Sequence, residues 1–159
     1  MKLSLDPSST ATGWAIWSDA NELERFGVTR PKGSLTVVHR IRLMRDGISA
    51  ILRECLIKEA VIEVPSAKVA ARLGGKGAGL ANYGMAVGAV LATCWIYLPH
   101  RSVRAVDAQQ WTRGQKKRDR IVWCSARVQG YNAKNDPGGD IADAIWLGMW
   151  AWRENEVTA

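Results

Sequence analysis

Residues 3–17, LSLDPSSTATGWAIW, decide the fold of this chain. Their pattern predicts a strand, a tight turn of small polar residues and a second strand. Apolar and polar residues alternate up to Asp6, so a carboxylate ends the first strand beside a Pro-Ser-Ser turn. Because no helix that it could cap is near, this carboxylate indicates a metal ligand or a catalytic group. The alternative is a turn aspartate that bonds to its own backbone.

Composition and charge indicate a globular protein that binds an anionic partner. A chain of 159 residues with 47% hydrophobic and 23% charged residues predicts one globular domain, residues 1–159. The net charge of +7 favours anionic partners, of which nucleic acid is the commonest and a membrane surface the next. Residues 64–134 carry twelve Lys and Arg against two Asp, a net +10 that leaves −3 for the rest. Acidic and basic groups therefore lie in different parts of the chain, as in a metal-dependent enzyme that acts on a polyanion.

The cysteines argue against a disulfide framework and against structural zinc. Cys55, Cys94 and Cys124 are far apart and odd in number, and no CxxC pair occurs. We expect reduced thiols in a cytoplasmic protein, in the host cytoplasm if the chain is phage-encoded. The first predicted strand starts at Lys2, which leaves no room for a signal peptide.

A second strand carries another carboxylate near its end. Residues 58–64, KEAVIEV, predict a short apolar strand that Pro65 stops. Glu63 could be a solubility device on an edge strand. However, its apolar neighbours indicate a central strand, and two adjacent parallel strands would place Asp6 and Glu63 at the same edge of the sheet. We therefore interpret Glu63 as a functional-site residue next to Asp6.

The remaining elements follow from periodicity and turn signals. The patterns predict a third strand over 22–28, a helix over 34–55 capped by Ser34, a fifth strand over 101–106, a short helix or turn at 107–111 and a final helix over 140–152.

Residues 66–79 predict a flexible basic loop that contains Lys68, Arg72 and Lys76. It resembles a phosphate-binding loop only in its Gly-Gly-Lys-Gly run, because the Gly-x4-Gly-Lys-Ser/Thr pattern is absent. Its position after Glu63 would bring it to a polyanionic substrate.

An uncharged segment follows, residues 77–99. Its length and lack of charge would suit a transmembrane helix. However, the segment lies between Glu63 and Asp140, and these carboxylates must be in one compartment if they form one site. Gly84, Gly88 and Ala92 form a small-residue stripe at spacing four, which permits close helix packing. We expect a buried or dimer-forming helix and no membrane contact.

A dense run of positive charge follows the fifth strand. Residues 113–120 hold five cations close to Trp111, namely Arg113, Lys116, Lys117, Arg118 and Arg120. Such a run is often a solvated helix start. It also suits phosphate contacts, and we interpret it as a DNA- or RNA-binding segment.

The final helix begins with two carboxylates, Asp140 and Asp143, on one face of its first turn. Asp140 alone could be an N-cap. The helix is apolar nearly all round and must be buried, so Asp143 would be costly there without a partner. Two carboxylates at a buried helix start therefore predict a metal site.

The four carboxylates Asp6, Glu63, Asp140 and Asp143 predict one chemistry. Hard oxygen ligands select Mg²⁺ or Mn²⁺. Two such ions about 4 Å apart can activate a water and stabilise the leaving oxygen of a phosphodiester. Without cations the cluster should be loosened or partly protonated.

In their order, the Leu-Asp-Pro-Ser-Ser-x-x-Thr-Gly strand and turn, the Val-Ile-Glu strand end and the Asp-x-x-Asp-Ala helix resemble the RuvC family of Holliday-junction resolvases. The resemblance implies an α/β, RNase H-like fold, with a five-stranded mixed sheet flanked by helices. It also implies a homodimer that binds four-way DNA in recombination and repair and makes symmetric, metal-dependent nicks with 5′-phosphate ends.

By position, Asp6 would bridge two metal ions and the other three carboxylates would complete their shells. The resemblance also implies a cation near the scissile phosphate, for which Lys116, Lys117 and Arg118 are candidates. The residue range 79–98 is similar to the family's dimer helix. Ser8 stands where bacterial members usually carry glycine, and the loop after Glu63 lacks the paired aromatics associated with wedging a junction open. The divergent, Trp-rich sequence points to a bacteriophage member.

The full set of predicted DNA contacts is Ser8, Lys68, Arg72, Lys76, Arg113, Lys116, Lys117 and Arg118. One alternative function is a broader nuclease of the same fold that cuts flaps and other branched DNA. Another is a non-catalytic junction-binding protein whose carboxylates are structural. An actin-like ATPase would need a second domain that 159 residues do not supply.

Overall fold

The computed structural model describes residues 1–65 and 77–153. Its centre is a mixed five-stranded sheet in the order β3-β2-β1-β4-β5. The strands are β1 Lys2–Pro7, β2 Thr12–Trp17, β3 Leu23–Thr29, β4 Glu59–Val64 and β5 Val103–Asp107. The first three strands pair antiparallel, and β4 and β5 run parallel to β1. The predicted α/β class and mixed five-stranded sheet are confirmed.

The helices flank this sheet. They are α1 Val37–Glu54, α2 Gly77–Tyr97, α3 Ala108–Thr112, α4 Lys117–Arg127 and α5 Asp140–Trp152. Short 3-10 turns cover His100–Ser102 and Ala133–Asn135. Predicted and observed bounds agree to within about three residues.

The start of α1 differs from the prediction. Thr36, and not Ser34, is the N-cap, because the Thr36 side chain accepts a hydrogen bond from the backbone N–H of His39. Ser34 lies instead in a turn closed by the N–H of Leu35 and the carbonyl of Lys32 at 3.2 Å. Both residues are good caps, and turn geometry decides between them.

The strands divide their side chains between two apolar layers. Ala15, Trp17 and Val61 pack on the side of α4 and α5. Leu3 and Leu5 pack on the side of α1 and α2. Because side chains alternate along a strand, Asp6 and Glu63 point to the same side as α5.

Helix α5 lies directly on the sheet. Ser4 Oγ donates to the carbonyl of Ala144 at 2.7 Å, and the indole Nε1 of Trp17 donates to Ser4 Oγ at 3.0 Å. A Cβ at Gly148 would collide with the Trp17 indole, and one at Gly13 would collide with the backbone of α5 at Asp140. These two glycines therefore allow the close approach that brings the start of α5 to the end of β1.

Helix α2 packs only one side against the protein. Ala86, Val90 and Cys94 are buried, whereas Met85 and Ile96 are exposed. The stretch Gly79–Tyr97 is long and apolar enough to cross a membrane by length and composition alone, and 28% of it is buried. The sequence predicted a helix that is either buried or dimer-forming, and full burial is wrong. Within the part of the chain that the structure describes, one apolar side of α2 is not packed against other residues.

Candidate metal centre and nucleic-acid interface

Two of the predicted carboxylates stand at the ends of neighbouring parallel strands. Leu5 of β1 is paired with Ile62 of β4, so the next residues, Asp6 and Glu63, lie at one edge of the sheet. Asp6 is only 6% exposed. The carboxyl ends of parallel strands are where open α/β sheets commonly place their sites.

The other two carboxylates lie on the first turn of α5, and both are buried. The N-cap position belongs to Gly139, and the carboxylate of Asp136 accepts from the backbone N–H groups of Ile141 at 3.1 Å and Ala142 at 3.0 Å. Asp140 is thus not the N-cap, and its carboxylate is available for other contacts.

Sequence reasoning missed Asp136. Its side chain is buried, and the hydroxyl of Tyr131 donates to it at 2.9 Å. The available signal was its position, since Asp136 is followed by Pro-Gly-Gly and then by the helix. A turn at Pro-Gly-Gly can bring the Asp136 carboxylate back to the first backbone N–H groups of the helix.

Three cations contact the α5 carboxylates. Arg30, one residue beyond the end of β3, reaches Asp140 Oδ2 at 2.8 Å. Lys117 Nζ is 2.8 Å from Asp143 Oδ2 and 3.9 Å from Asp140 Oδ1. Arg120 Nε donates to Asp143 Oδ1 at 2.6 Å. Lys117 and Arg120 belong to the basic run predicted at this surface, although their pairing with Asp143 was not expected. Arg30 was missed because it is 110 residues from its partner.

Arg120 is itself buried, with 5% of the residue exposed. Its Nη1 donates to the carbonyl of Gln115 at 2.7 Å, and its guanidinium lies 4.9 Å from the ring centroid of Trp111. The contacts of this guanidinium on several sides hold it in one place.

The strand carboxylates are strongly perturbed. Burial raises the pKa of Asp6 well above its ordinary value, and the carboxylate of Glu63 raises it further. Asp143 and Asp140 add to this rise, whereas Lys117 opposes it. Burial likewise raises the pKa of Glu63 to about 7, with Asp143 adding to the effect. The four carboxylates therefore share one electrostatic site that favours added positive charge.

Two aromatic residues adjoin Glu63. Burial raises the pKa of the Tyr83 phenol, and the carboxylate of Glu63 contributes to the rise, so α2 approaches the site at this residue. The buried Nε1 of Trp111 has no partner within hydrogen-bond geometry, although its N–H is close enough to lower the pKa of Glu63. Neither contact was expected from the sequence.

The site fits a hard divalent cation in its donor chemistry. Among the described residues, no three carboxylate, imidazole or thiolate side chains are close enough to form a ready metal cage. The ammonium of Lys117 lies between Asp140 and Asp143 and acts electrostatically on Asp6 and Glu63. A positive group thus already lies beside the two α5 carboxylates. All four donors are oxygens, which suit Mg²⁺ or Mn²⁺.

The pKa of Lys117 reflects this position. Burial lowers it, but contact with the carboxylate of Asp143 outweighs burial and raises the pKa above its ordinary value. Lys117 therefore carries its charge at neutral pH.

The other predicted DNA contacts are spread around this edge. Arg113, Lys116 and Arg118 are exposed at the start of α4. Ser8 Oγ accepts from the N–H of Ala11 at 3.0 Å and shapes the turn between β1 and β2. The predicted contacts Lys68, Arg72 and Lys76 lie outside the described residues.

The predicted dimer stripe lies along the uncovered side of α2. Gly84, Gly88 and Ala92 are all exposed. A Cβ built at either glycine would meet nothing within 4 Å. The small residues are therefore not required by packing within the described part of the chain.

Comparison with known proteins identifies the fold. No protein-family profile matches the chain, and no curated protein sequence matches it. Among solved structures, Thermus thermophilus RuvC in complex with a Holliday junction substrate superimposes with a TM-score of 0.70 at 16% identity, covering 99% of this chain and 96% of that one. A second T. thermophilus RuvC structure gives a TM-score of 0.64 at 15% identity, covering 99% and 97%. The chain therefore has the RNase H-like fold of RuvC, and the resemblance inferred from its motifs is confirmed at the level of the fold.

Proposed function

We propose that this protein is a DNA endonuclease that resolves four-way junctions by metal-dependent hydrolysis of phosphodiesters. The observation that carries the proposal is the placement of four carboxylates at one edge of a RuvC-type sheet. Two of them end β1 and β4, and two stand on the first turn of α5. The T. thermophilus neighbour bound to a junction supports the choice of substrate.

Asp6, Glu63, Asp140 and Asp143 would hold the metal through their carboxylate oxygens. When bound, Mg²⁺ or Mn²⁺ would supply an activated water and stabilise the leaving oxygen. Asp6, Asp140 and Asp143 are buried and Glu63 is partly buried, so bulk water has little access to these carboxylates.

Lys117 is the best candidate for the scissile phosphate among the three cations at the start of α4. Its ammonium contacts Asp143 Oδ2 at 2.8 Å and lies 3.9 Å from Asp140 Oδ1. Because its side chain is 44% exposed and flexible, Lys117 can move from Asp143 to a phosphate oxygen without unfolding the helix.

Arg113, Lys116 and Arg118 are exposed within four residues of Lys117 in the sequence and would contact the DNA backbone. Phosphate contacts release counterions, so junction binding should weaken steeply as salt rises. A flat salt response would contradict the assignment of this segment to DNA.

The proposal includes a homodimer through α2. The uncovered side of this helix carries Gly84, Gly88 and Ala92 beside the exposed side chains of Met85 and Trp95. A symmetric pair of subunits would place two sites on a four-way junction and account for paired nicks.

The decisive experiment is cleavage of an end-labelled four-way junction, a flap and a plain duplex, each with Mg²⁺ or Mn²⁺. Paired symmetric nicks in the junction alone support the proposal, provided that Asp143→Asn does not cut. Equal cutting of the flap would make the protein a general branched-DNA nuclease. Tight binding of the junction without cutting under either metal would overturn the nuclease assignment.

A further inference from the structure

The two oxygens of the Asp143 carboxylate are held by cations of different kinds. Oδ1 accepts from the buried guanidinium of Arg120 at 2.6 Å, and Oδ2 contacts the ammonium of Lys117 at 2.8 Å. Since each oxygen already contacts a cation, a metal ion that approaches Asp143 would compete with Lys117 or Arg120.

Arg120 cannot leave easily. It is 5% exposed, its Nη1 donates to the carbonyl of Gln115, and its guanidinium is stacked on Trp111. A guanidinium does not lose its proton in a protein, and its planar fork matches the two acceptors, the Asp143 carboxylate and the Gln115 carbonyl, that flank it. Moving it would leave a buried charge and two acceptors without partners.

Lys117 can leave. Its side chain is 44% exposed, it stands in the first turn of α4, and a single ammonium can be hydrated as it swings outward. A metal ion would therefore displace Lys117 from Oδ2 more readily than Arg120 from Oδ1.

We propose that Arg120, supported by Trp111, is a positioning residue that holds Asp143 Oδ1 so that Oδ2 faces the metal. This inference rests on the proposed metal site, but it does not depend on which DNA is cut. Trp111 joins two of the carboxylates, because its ring supports Arg120 while its indole N–H lies near Glu63. Hydrogen-bond partners of this kind, which orient a ligand without touching the metal, commonly change metal affinity by about 10- to 100-fold.

The alternative is that Arg120 only neutralises Asp143 in the metal-free protein. The two roles predict different results for Arg120→Lys, which keeps the charge but cannot reach Asp143 and the Gln115 carbonyl together. A neutralising role predicts unchanged metal binding in this variant, and tighter binding in Arg120→Gln, where a competing charge is lost. A positioning role predicts weaker binding in both.

The experiment is a Mn²⁺ titration of the purified full chain without DNA, with free Mn²⁺ followed by electron paramagnetic resonance. We expect Arg120→Lys and Arg120→Gln to bind Mn²⁺ about tenfold more weakly. Lys117→Gln should bind as tightly as the unmodified protein or more tightly, because its ammonium no longer competes.

The matched control is Arg127→Gln. Arg127 is on the same helix and also stacks on a tryptophan, at 5.5 Å from the ring centroid of Trp123, but it is exposed and contacts none of the four carboxylates. Its Mn²⁺ affinity should be unchanged.

Thermal unfolding of each metal-free variant separates stability from positioning. If either Arg120 variant fails to fold, Trp111→Phe tests the same unit, since it weakens the support for the guanidinium and removes the indole N–H. We expect a smaller but measurable loss of Mn²⁺ affinity in Trp111→Phe.

Mn²⁺ binding equal to that of the unmodified protein in every folded variant would overturn the inference. If the unmodified protein binds Mn²⁺ but does not cleave the junction, the proposed function is wrong and the inference about Arg120 still stands.

Discussion

Helices α5 and α2 are both apolar nearly all round, yet they lie on opposite faces of the sheet with different cover. Ten of the thirteen residues of α5 are buried, between the sheet and α4. In α2 only the side that faces α1 and the sheet is buried. Composition alone therefore does not tell which apolar helix is completed within the chain.

The glycines of the two helices make the same distinction. Gly148 of α5 touches the Trp17 indole so closely that a Cβ would collide with it. Gly84 and Gly88 of α2 have open space before them. Packing within one chain explains the glycine in α5. In the homodimer that we propose, the glycines in α2 would instead pack against a second copy of the chain.

The largest expected effect concerns the chemistry on the α5 face. We expect Asp6→Asn to lower the rate of junction cleavage by about a thousandfold or more, because the substitution removes a charged ligand from the metal site. Junction binding should be retained or tightened, since a negative charge near the phosphates is lost. Single-turnover cleavage with Mn²⁺ and binding in its absence measure the two effects.

Asp19→Asn is the matched control for that substitution. Asp19 is exposed and pairs with the N-terminal ammonium and Lys58 away from the four carboxylates. Its cleavage rate should not change. Full activity in Asp6→Asn would contradict the metal site.

The next effect is the pH dependence of stability on the α5 face. The folded pKa of Glu63, about 7, lies above its ordinary value of 4.5, so between these values the folded protein binds more protons than the unfolded chain. Metal-free protein should therefore lose stability as pH rises through this window, by about 3 kcal/mol from Glu63, and the raised pKa of Asp6 acts in the same direction. Urea unfolding in a chelator at several pH values measures it.

Glu63→Gln tests the cause of that dependence. The variant should show a flatter stability profile between pH 4.5 and 7. Added Mn²⁺ should stabilise the unmodified protein more at the upper end of the window, because the carboxylates are then ionised. A profile that rises with pH in the metal-free protein would contradict the assigned shift.

A smaller effect is expected from Gly148→Ala. The added methyl group must displace the Trp17 indole, which donates to Ser4 Oγ. We expect a loss of about 2 kcal/mol in the free energy of unfolding, as for other overpacked cores. Urea denaturation measures it, and unchanged stability would show that α5 is not held as closely as its contacts indicate.

The sequence was sufficient for the sheet and for the four carboxylates, because the signals for both are local. Alternation and turn residues mark the ends of β1 and β4, and the charge within an apolar helix marks Asp140 and Asp143. The partners of these carboxylates could not be predicted. Arg30 reaches its partner across 110 residues, and nothing near it in the chain marks it as a buried contact.

The error at the start of α1 has a different cause. Ser34 and Thr36 carry equal capping signals, and only the path of the preceding turn selects between them. The sequence left open whether α2 is buried or packs on a second copy, because an apolar helix does not by itself show which of its sides its own chain covers. The exposed residues Gly84, Gly88 and Ala92 lie on the side marked by the predicted small-residue stripe.

The smallest effect is expected on the α2 face, from Gly88→Ala. The new methyl group meets nothing within 4 Å, and alanine favours helix over glycine by up to about 1 kcal/mol, so the folded chain should become slightly more stable. If two copies pack at this glycine, the same methyl group separates their helices and weakens association. Urea unfolding at low protein concentration and sedimentation equilibrium measure the two effects separately. A destabilised chain would show that α2 is covered from within, and stronger association would place the contact between copies elsewhere.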